Sequence, residues 1–109
     1  MAFNLVDLPN ATITASNSTS GAITQFDDAY AVSIQAPATL TASQVSIQVA
    51  VSSGGSAAFV TYQSGGADIV LAAGKGLTMT PIPYRQLRII SSSVEGADRV
   101  FLLTKVFIV

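Results

Sequence analysis

The sequence predicts an all-β fold: a single antiparallel β-sandwich, jelly-roll-like, with eight or nine short strands and no significant helix. Three observations carry this expectation. Apolar residues recur with a period of two over short runs, the runs are rich in Val, Ile, Thr, Phe and Tyr, and glycine-rich turns separate them at short intervals. No window carries an apolar stripe at helical spacing for three turns. A chain of 109 residues has room for one domain, taken as 1–109. Area scaling for a chain of ~11 kDa gives about 5,700 Å² of folded surface, enough for one core and not two.

The elements follow in order. Residues 2–7 carry Phe3 and Leu5, with Leu8 just ahead of Pro9-Asn10. Residues 1–9 therefore read either as an edge strand of the core or as an N-terminal arm that adds to a neighbour's sheet. Residues 11–15 and 23–26 are short strand candidates, separated by a Ser/Asn/Thr-rich stretch at 16–20. Tyr30, Val32 and Ile34 alternate with Ala31, Ser33 and Gln35. Residues 36–44 contain Pro37 and several Ser and Thr, and read as a link or one short turn. Val45, Ile47, Val49 and Val51 then alternate with Ser46, Gln48, Ala50 and Ser52.

Glycine turns come next, at Gly54-Gly55, Gly65-Gly66 and Gly74-Lys75-Gly76, bounding strands near 57–63, 68–72 and 77–80. Paired glycines supply the positive φ of tight hairpins, so these strands are expected to be antiparallel neighbours. Pro81-Ile82-Pro83 cannot continue a ladder and is expected to carry the chain to the other sheet. Residues 86–91 read as a strand, 94–98 as a turn and 100–109 as a terminal strand. In that last strand Val100, Leu102, Val106 and Ile108 share one face, and Phe101, Leu103, Phe107 and Val109 the other. A strand with a solvated face should alternate with polar residues. This one is expected to be covered on both faces, either by a loop or the N-terminal segment, or by a neighbouring subunit.

Composition narrows the chemistry. Only 10% of residues are charged, the formal net charge is −1, and the chain has no His, Cys or Trp. The mean hydropathy is +0.54, yet no apolar run approaches the roughly 20 residues that span a bilayer. A soluble chain with so few surface charges is weakly protected against association and suits a life packed against other subunits. No basic field is present to attract nucleic acid. The initiating Met, with no charged and apolar leader behind it, fits a complete, cytosolically made polypeptide without a signal peptide. Triads, thiol nucleophiles and zinc sites lack their residues. Asp27-Asp28 reads as a solvated turn rather than a calcium site, Asp68 as a turn residue, and Asp98-Arg99 as a pair of little energetic weight at the start of a strand. No metal, cofactor or catalytic residue is expected, and the chain reads as not an enzyme.

Most aromatic residues fall at strand positions suited to a core. Tyr84, between Pro83 and Arg85, is the aromatic most expected at the surface, and Tyr and Arg are enriched in binding hot spots. Phe3, Leu5, Tyr84 and Arg85 are therefore the candidate partner-binding residues.

From residue 34 onward the chain resembles a family of small all-β virion proteins of tailed bacteriophages. The resemblance runs through Ile34-Gln35-Ala36-Pro37-Ala38-Thr39-Leu40-Thr41, the strand Val45-Ser46-Ile47-Gln48-Val49-Ala50-Val51 and Phe59-Val60-Thr61-Tyr62. It resumes at Pro83-Tyr84-Arg85-Gln86-Leu87-Arg88-Ile89-Ile90-Ser91-Ser92 and at Asp98-Arg99-Val100-Phe101-Leu102-Leu103. Where that family has an Asp-Gly central turn this chain has Gly54-Gly55, and the family's tryptophans are missing. The resemblance implies a capsid decoration (cement) protein or another head or tail accessory protein; the first of these would be made in the host cytoplasm and carried on the capsid surface of the virion. It would self-associate as a dimer or trimer and stabilise the lattice of the major capsid protein, with no nucleic-acid or membrane partner. It supplies no active-site residues. The alternative from another class is a host-recognition or fibre-associated module that binds surface glycan.

Overall fold

The computed structural model describes residues 3–24, 26, 29–52, 58–80 and 84–108, with all of their side chains except those of Phe3 and Ile108. The Asp27-Asp28 pair, the Gly54-Gly55 turn, Pro81-Ile82-Pro83 and Val109 lie outside the described residues. The described residues contain no helix and eleven strands: β1 (Phe3–Asp7), β2 (Ala11–Ile13), β3 (Ala31–Gln35), β4 (Gln44–Ala50), β5 (Val60–Thr61), β6 (Gln63–Ser64), β7 (Ala67–Asp68), β8 (Val70–Ala72), β9 (Gly76–Met79), β10 (Gln86–Ser91) and β11 (Arg99–Ile108). The all-β, sandwich-like architecture expected from the sequence is present.

The strands exceed eight or nine because two expected runs divide. The run at 57–63 becomes β5 and the start of β6. The run at 68–72 becomes β7 and β8, with Asp68 inside a strand rather than in a turn. Tyr62 is the dividing point. Its amide donates to Ile47 O at 2.8 Å, and its carbonyl accepts from the Ile69 amide at 3.1 Å. Between those two bonds the chain leaves the edge of β4 as a small ribbon, β6–β7, that turns at Gly65-Gly66. Both glycines have positive φ, 63° and 83°, as a two-residue hairpin of type I′ requires. In the expected strand at 23–26, Ile23 makes only an isolated bridge to Leu87.

Two antiparallel sheets face each other. In the first, β11 is central: β3 pairs on one side of it and β9 lies beyond β3, while β1 and β2 lie end to end along its other side. In the second, β10 pairs β4, and β5 and β8 share the far edge of β4. Residues 18–23 run along the free side of β10, where the Ser20 and Ile23 amides donate to Ile89 O and Leu87 O. β8 and β9 are therefore not antiparallel neighbours, as the short 74–76 connection suggested. That turn passes the chain from one sheet to the other; β9 belongs to the first sheet and β10 to the second.

The core follows from strand parity. Val32 and Ile34 of β3, Val45, Ile47 and Val49 of β4, Leu87 and Ile89 of β10, and Phe101 and Leu103 of β11 are all buried between the sheets. Phe26 joins them and is also buried. The solvent-accessible surface is 5815 Å², close to the area expected for the chain's mass. Truncation of Phe101 to Ala should cost about 3–5 kcal/mol, measured by urea denaturation.

One end of the sandwich is closed by a charge. Glu95 has 0% of its surface exposed. Its Oε1 accepts from the Thr41 amide at 2.7 Å and from Arg99 Nε at 2.9 Å. Its Oε2 accepts from Ser91 Oγ at 2.8 Å and from the Ala42 amide at 3.2 Å. The Glu95 backbone is held as well, donating to Asn17 O and accepting from the Ser16 amide, both at 2.9 Å. Arg99 thus serves the buried Glu95, while Asp98 accepts from the Ala15 amide at 2.8 Å; the two do not act as the minor surface pair expected.

Burial pushes the Glu95 pKa up, but the hydrogen bonds from Thr41, Ser91, Ala42 and Arg99 outweigh it and lower the pKa from 4.5 to about 2. A lowered folded-state pKa gives stability that is present above pH 4.5 and is lost as the pH falls toward about 2. Glu95→Gln should cost about 2–4 kcal/mol at neutral pH, because it leaves Arg99 without its counter-charge. It should also flatten the acid limb of stability between pH 4.5 and 2, read by urea denaturation at a series of pH values.

Candidate functional site

Strand parity also decides what faces outward. In β11, Phe101 and Leu103 point into the core, so Val100 and Leu102 point out, exposed by 38% and 49%. The terminal strand is therefore covered on one face only among the described residues. Its doubly apolar pattern led to the opposite expectation. The N-terminal segment lies beside β11 as β1 and β2, in the same layer, and not over its outer face. Register continues the surface: Leu5 pairs with Val106 and shares its outer face, and Leu5 is 69% exposed. Leu5 with the half-buried Val106, and Val100 with Leu102, thus form two stretches of an apolar band along the outside of the first sheet, parted by the Asp7–Thr104 pair.

The rest of that face is polar but nearly uncharged. Ser33 and Thr78 share a hydrogen bond of 2.9 Å across β3 and β9, and Thr104 Oγ1 donates to Asp7 at 3.2 Å across β11 and β1. A shallow groove of about 690 Å³ crosses it, with Asp7 and Asn10 on one wall, Gly74, Lys75 and Gly76 on the other, and Leu102 and Gln35 between them. Gly74 takes a positive φ of 71°, which lets the wall turn sharply into β9. The outer face of the second sheet is more polar. Arg88 Nε donates to Gln48 at 2.7 Å, and its guanidinium lies 4.2 Å from the Phe59 ring centre.

The four residues predicted from sequence fare differently. Leu5 is at the surface, within the apolar band. The backbone of Phe3 is in β1, paired with Ile108, and its side chain lies outside the described residues. Tyr84 is not an exposed anchor: it is half-buried, packs against the core, and meets Tyr62 edge-to-face at 6.0 Å. The Tyr62 hydroxyl in turn donates to Thr80 O at 3.3 Å, just beyond β9, so this aromatic pair links the sheets. Arg85 is exposed, and its amide donates to Ala50 O at 2.8 Å, prolonging the β4–β10 ladder. Phe3 and Leu5 belong to the first sheet and Tyr84 and Arg85 to the approach to the second, so the structure does not join them on one element. Val100 and Leu102 were the missed surface residues; their signal was the two-faced apolarity of the terminal strand.

The acidic residues are dispersed. Asp7, Asp68, Asp98 and Glu95 each take a separate partner, and no three potential metal ligands gather among the described residues.

No family model matches this chain, and no curated protein matches it. Among solved structures it is similar to a chain of Bacillus endospore appendages, described as disulfide-linked pili. The two are 16% identical, and the match covers 99% of this chain and 93% of that one with a TM-score of 0.47. Likeness at that level carries no functional argument.

The contrast between the bend residues can be tested. Tyr84→Ala should lower stability by about 1–3 kcal/mol through lost packing, whereas Arg85→Ala should change it by less than about 0.5 kcal/mol. Urea denaturation of both variants reads the difference.

Proposed function

We propose that this chain is a non-enzymatic structural protein of a phage virion, a capsid decoration protein that self-associates and stabilises the lattice of the major capsid protein. The observation that carries this reading is the outward apolar band, Leu5, Val100 and Leu102, in a chain with only 10% charged residues. Large aliphatic side chains grouped on one sheet face favour an interaction surface over scattered exposure. The hydroxyl-rich strands beside them carry few charges, Asp7 and Lys75 at the groove among them, so another protein surface meets little charge to desolvate. The resemblance of the chain from residue 34 onward to small virion proteins is what points to the major capsid protein as partner. Bridging adjacent capsid subunits through this face would resist their separation under the pressure of packaged DNA.

A second reading, a host-recognition or fibre-associated glycan-binding module, draws on the groove beside the band. Asp7, Asn10, Gln35 and Lys75 offer it carboxylate, amide and ammonium groups for sugar hydroxyls. Light scattering separates the two, on the protein alone and then with empty capsids that lack it. Capsid decoration predicts a defined oligomer that co-elutes with the capsids and raises their melting temperature. A stable monomer indifferent to capsids, with saturable binding to a defined glycan, would support the module instead.

A further inference from the structure

Resting on the self-association proposed above, we infer that β1 is the edge through which two copies of this chain join. The two β1 strands run antiparallel about a two-fold axis at Leu5, so that the first sheets of both molecules continue as one.

The ladder shows which backbone groups are available. Leu8 N donates to Leu103 O at 2.9 Å, and Tyr30 N donates to Val106 O at 2.8 Å. Residues 103, 105 and 107 of β11 therefore turn their polar groups toward β1, and 104 and 106 turn theirs toward β3. In the observed register Asn4 pairs with Phe107 and Val6 with Lys105, so Asn4 and Val6 bond inward. Phe3, Leu5 and Asp7 direct their N–H and C=O groups to the open side, where no strand pairs among the described residues.

Among the described residues the other sheet margins are shorter than β1 or covered, β2 having three residues and the open edge β9 four. β5 and β8 are edges of only two and three residues. Residues 18–23 cover the side of β10. β9 is tied to the second sheet at both ends, by the turn from β8 and by the Tyr62 hydroxyl on Thr80 O. β1, with five residues, has no Lys, Pro or inward-pointing charge between Phe3 and Asp7, the devices that normally blunt an edge.

The distribution of charge selects a second copy in antiparallel orientation. Asp7 is the sole charge on β1 and sits at its end. Pairing about Leu5 places Asp7 opposite Phe3 of the other copy and holds the two Asp7 carboxylates at far ends, whereas a parallel pair would set them side by side. Leu5 then meets Leu5 on the outer face, and the strand is complementary to itself, as an isologous two-fold contact requires. A net charge of −1 per chain opposes this approach little.

Sedimentation of the full chain over a concentration series tests the inference. The wild type should form a dimer. Leu5→Pro removes the central outward donor while sparing the bonds to β11, and should raise the dimer Kd by about tenfold or more. Val51→Ser, just past the end of β4 in the second sheet and outside both the edge and the apolar band, should leave that Kd unchanged. Leu5→Cys should cross-link to a covalent dimer under mild oxidation, because opposite residues of a hydrogen-bonded pair sit with Cα atoms about 5.5 Å apart, within disulfide reach. Val100→Cys should not cross-link. A dimer that survives Leu5→Pro, fails to cross-link through Leu5→Cys and dissociates with Leu102→Ser would overturn the edge contact and leave the apolar-face reading standing. A wild type that stays monomeric and ignores capsids would overturn both.

Discussion

The buried Glu95 carboxylate is the contact on which the rest of the fold depends. It lies where the chain leaves the second sheet at Ser91 and starts the first at Arg99, and it takes a hydrogen bond from each of those residues. It also fixes the 41–42 turn that leads into β4, and its backbone anchors the turn at 16–17. Stripping water from a carboxylate is costly, and only a full set of well-aligned donors offsets the loss. Two backbone amides, a hydroxyl and a guanidinium provide that set. The gain is positional: three chain segments from different parts of the sequence are held at one point by groups that accept little displacement.

Fixing Arg99 fixes the parity of β11, and parity sets the character of both faces of the first sheet. From Arg99 onward the alternation buries Phe101 and Leu103 and exposes Val100 and Leu102. A slip of one residue would reverse this and place Val100 and Leu102 in a core shaped for Phe101. The apolar band on the outer face is thus held in register by a polar lock at the strand's origin. That band in turn supports the proposed role, because a chain this poor in charge has few other means of choosing a partner.

Much of the fold was legible in the residues. The alternation at 30–35, 45–50 and 86–91 marked β3, β4 and β10 almost residue for residue, because each has one buried face. Gly65-Gly66 announced a two-residue hairpin because few other residues accept two successive positive φ values. The sheet to which each strand belongs was not legible. The turn at 74–76 looks like a hairpin and instead crosses between layers, a choice made by long-range packing. Glu95 gave no local signal either, since an acid in a Ser/Gly-rich turn looks solvated until its donors, distant in sequence, are brought to it. Tyr84 misled for a similar reason: flanking Pro and Arg suggested exposure, while Tyr62 supplies a packing partner. The terminal strand showed that both of its faces are apolar. It could not show that β1 would lie beside it and leave the outer face open.

The proposed role requires that the outer face of the first sheet be the surface this protein buries in its assembly. Radical footprinting of the free chain, and of the chain on capsids, measures that directly, residue by residue. Labelling of Leu5, Val100 and Leu102 should fall on binding while Val51 and Val94, also exposed but on other parts of the surface, stay labelled. Unchanged labelling of Leu5, Val100 and Leu102 alongside protection of Val51 or Val94 would place the contact elsewhere on the surface.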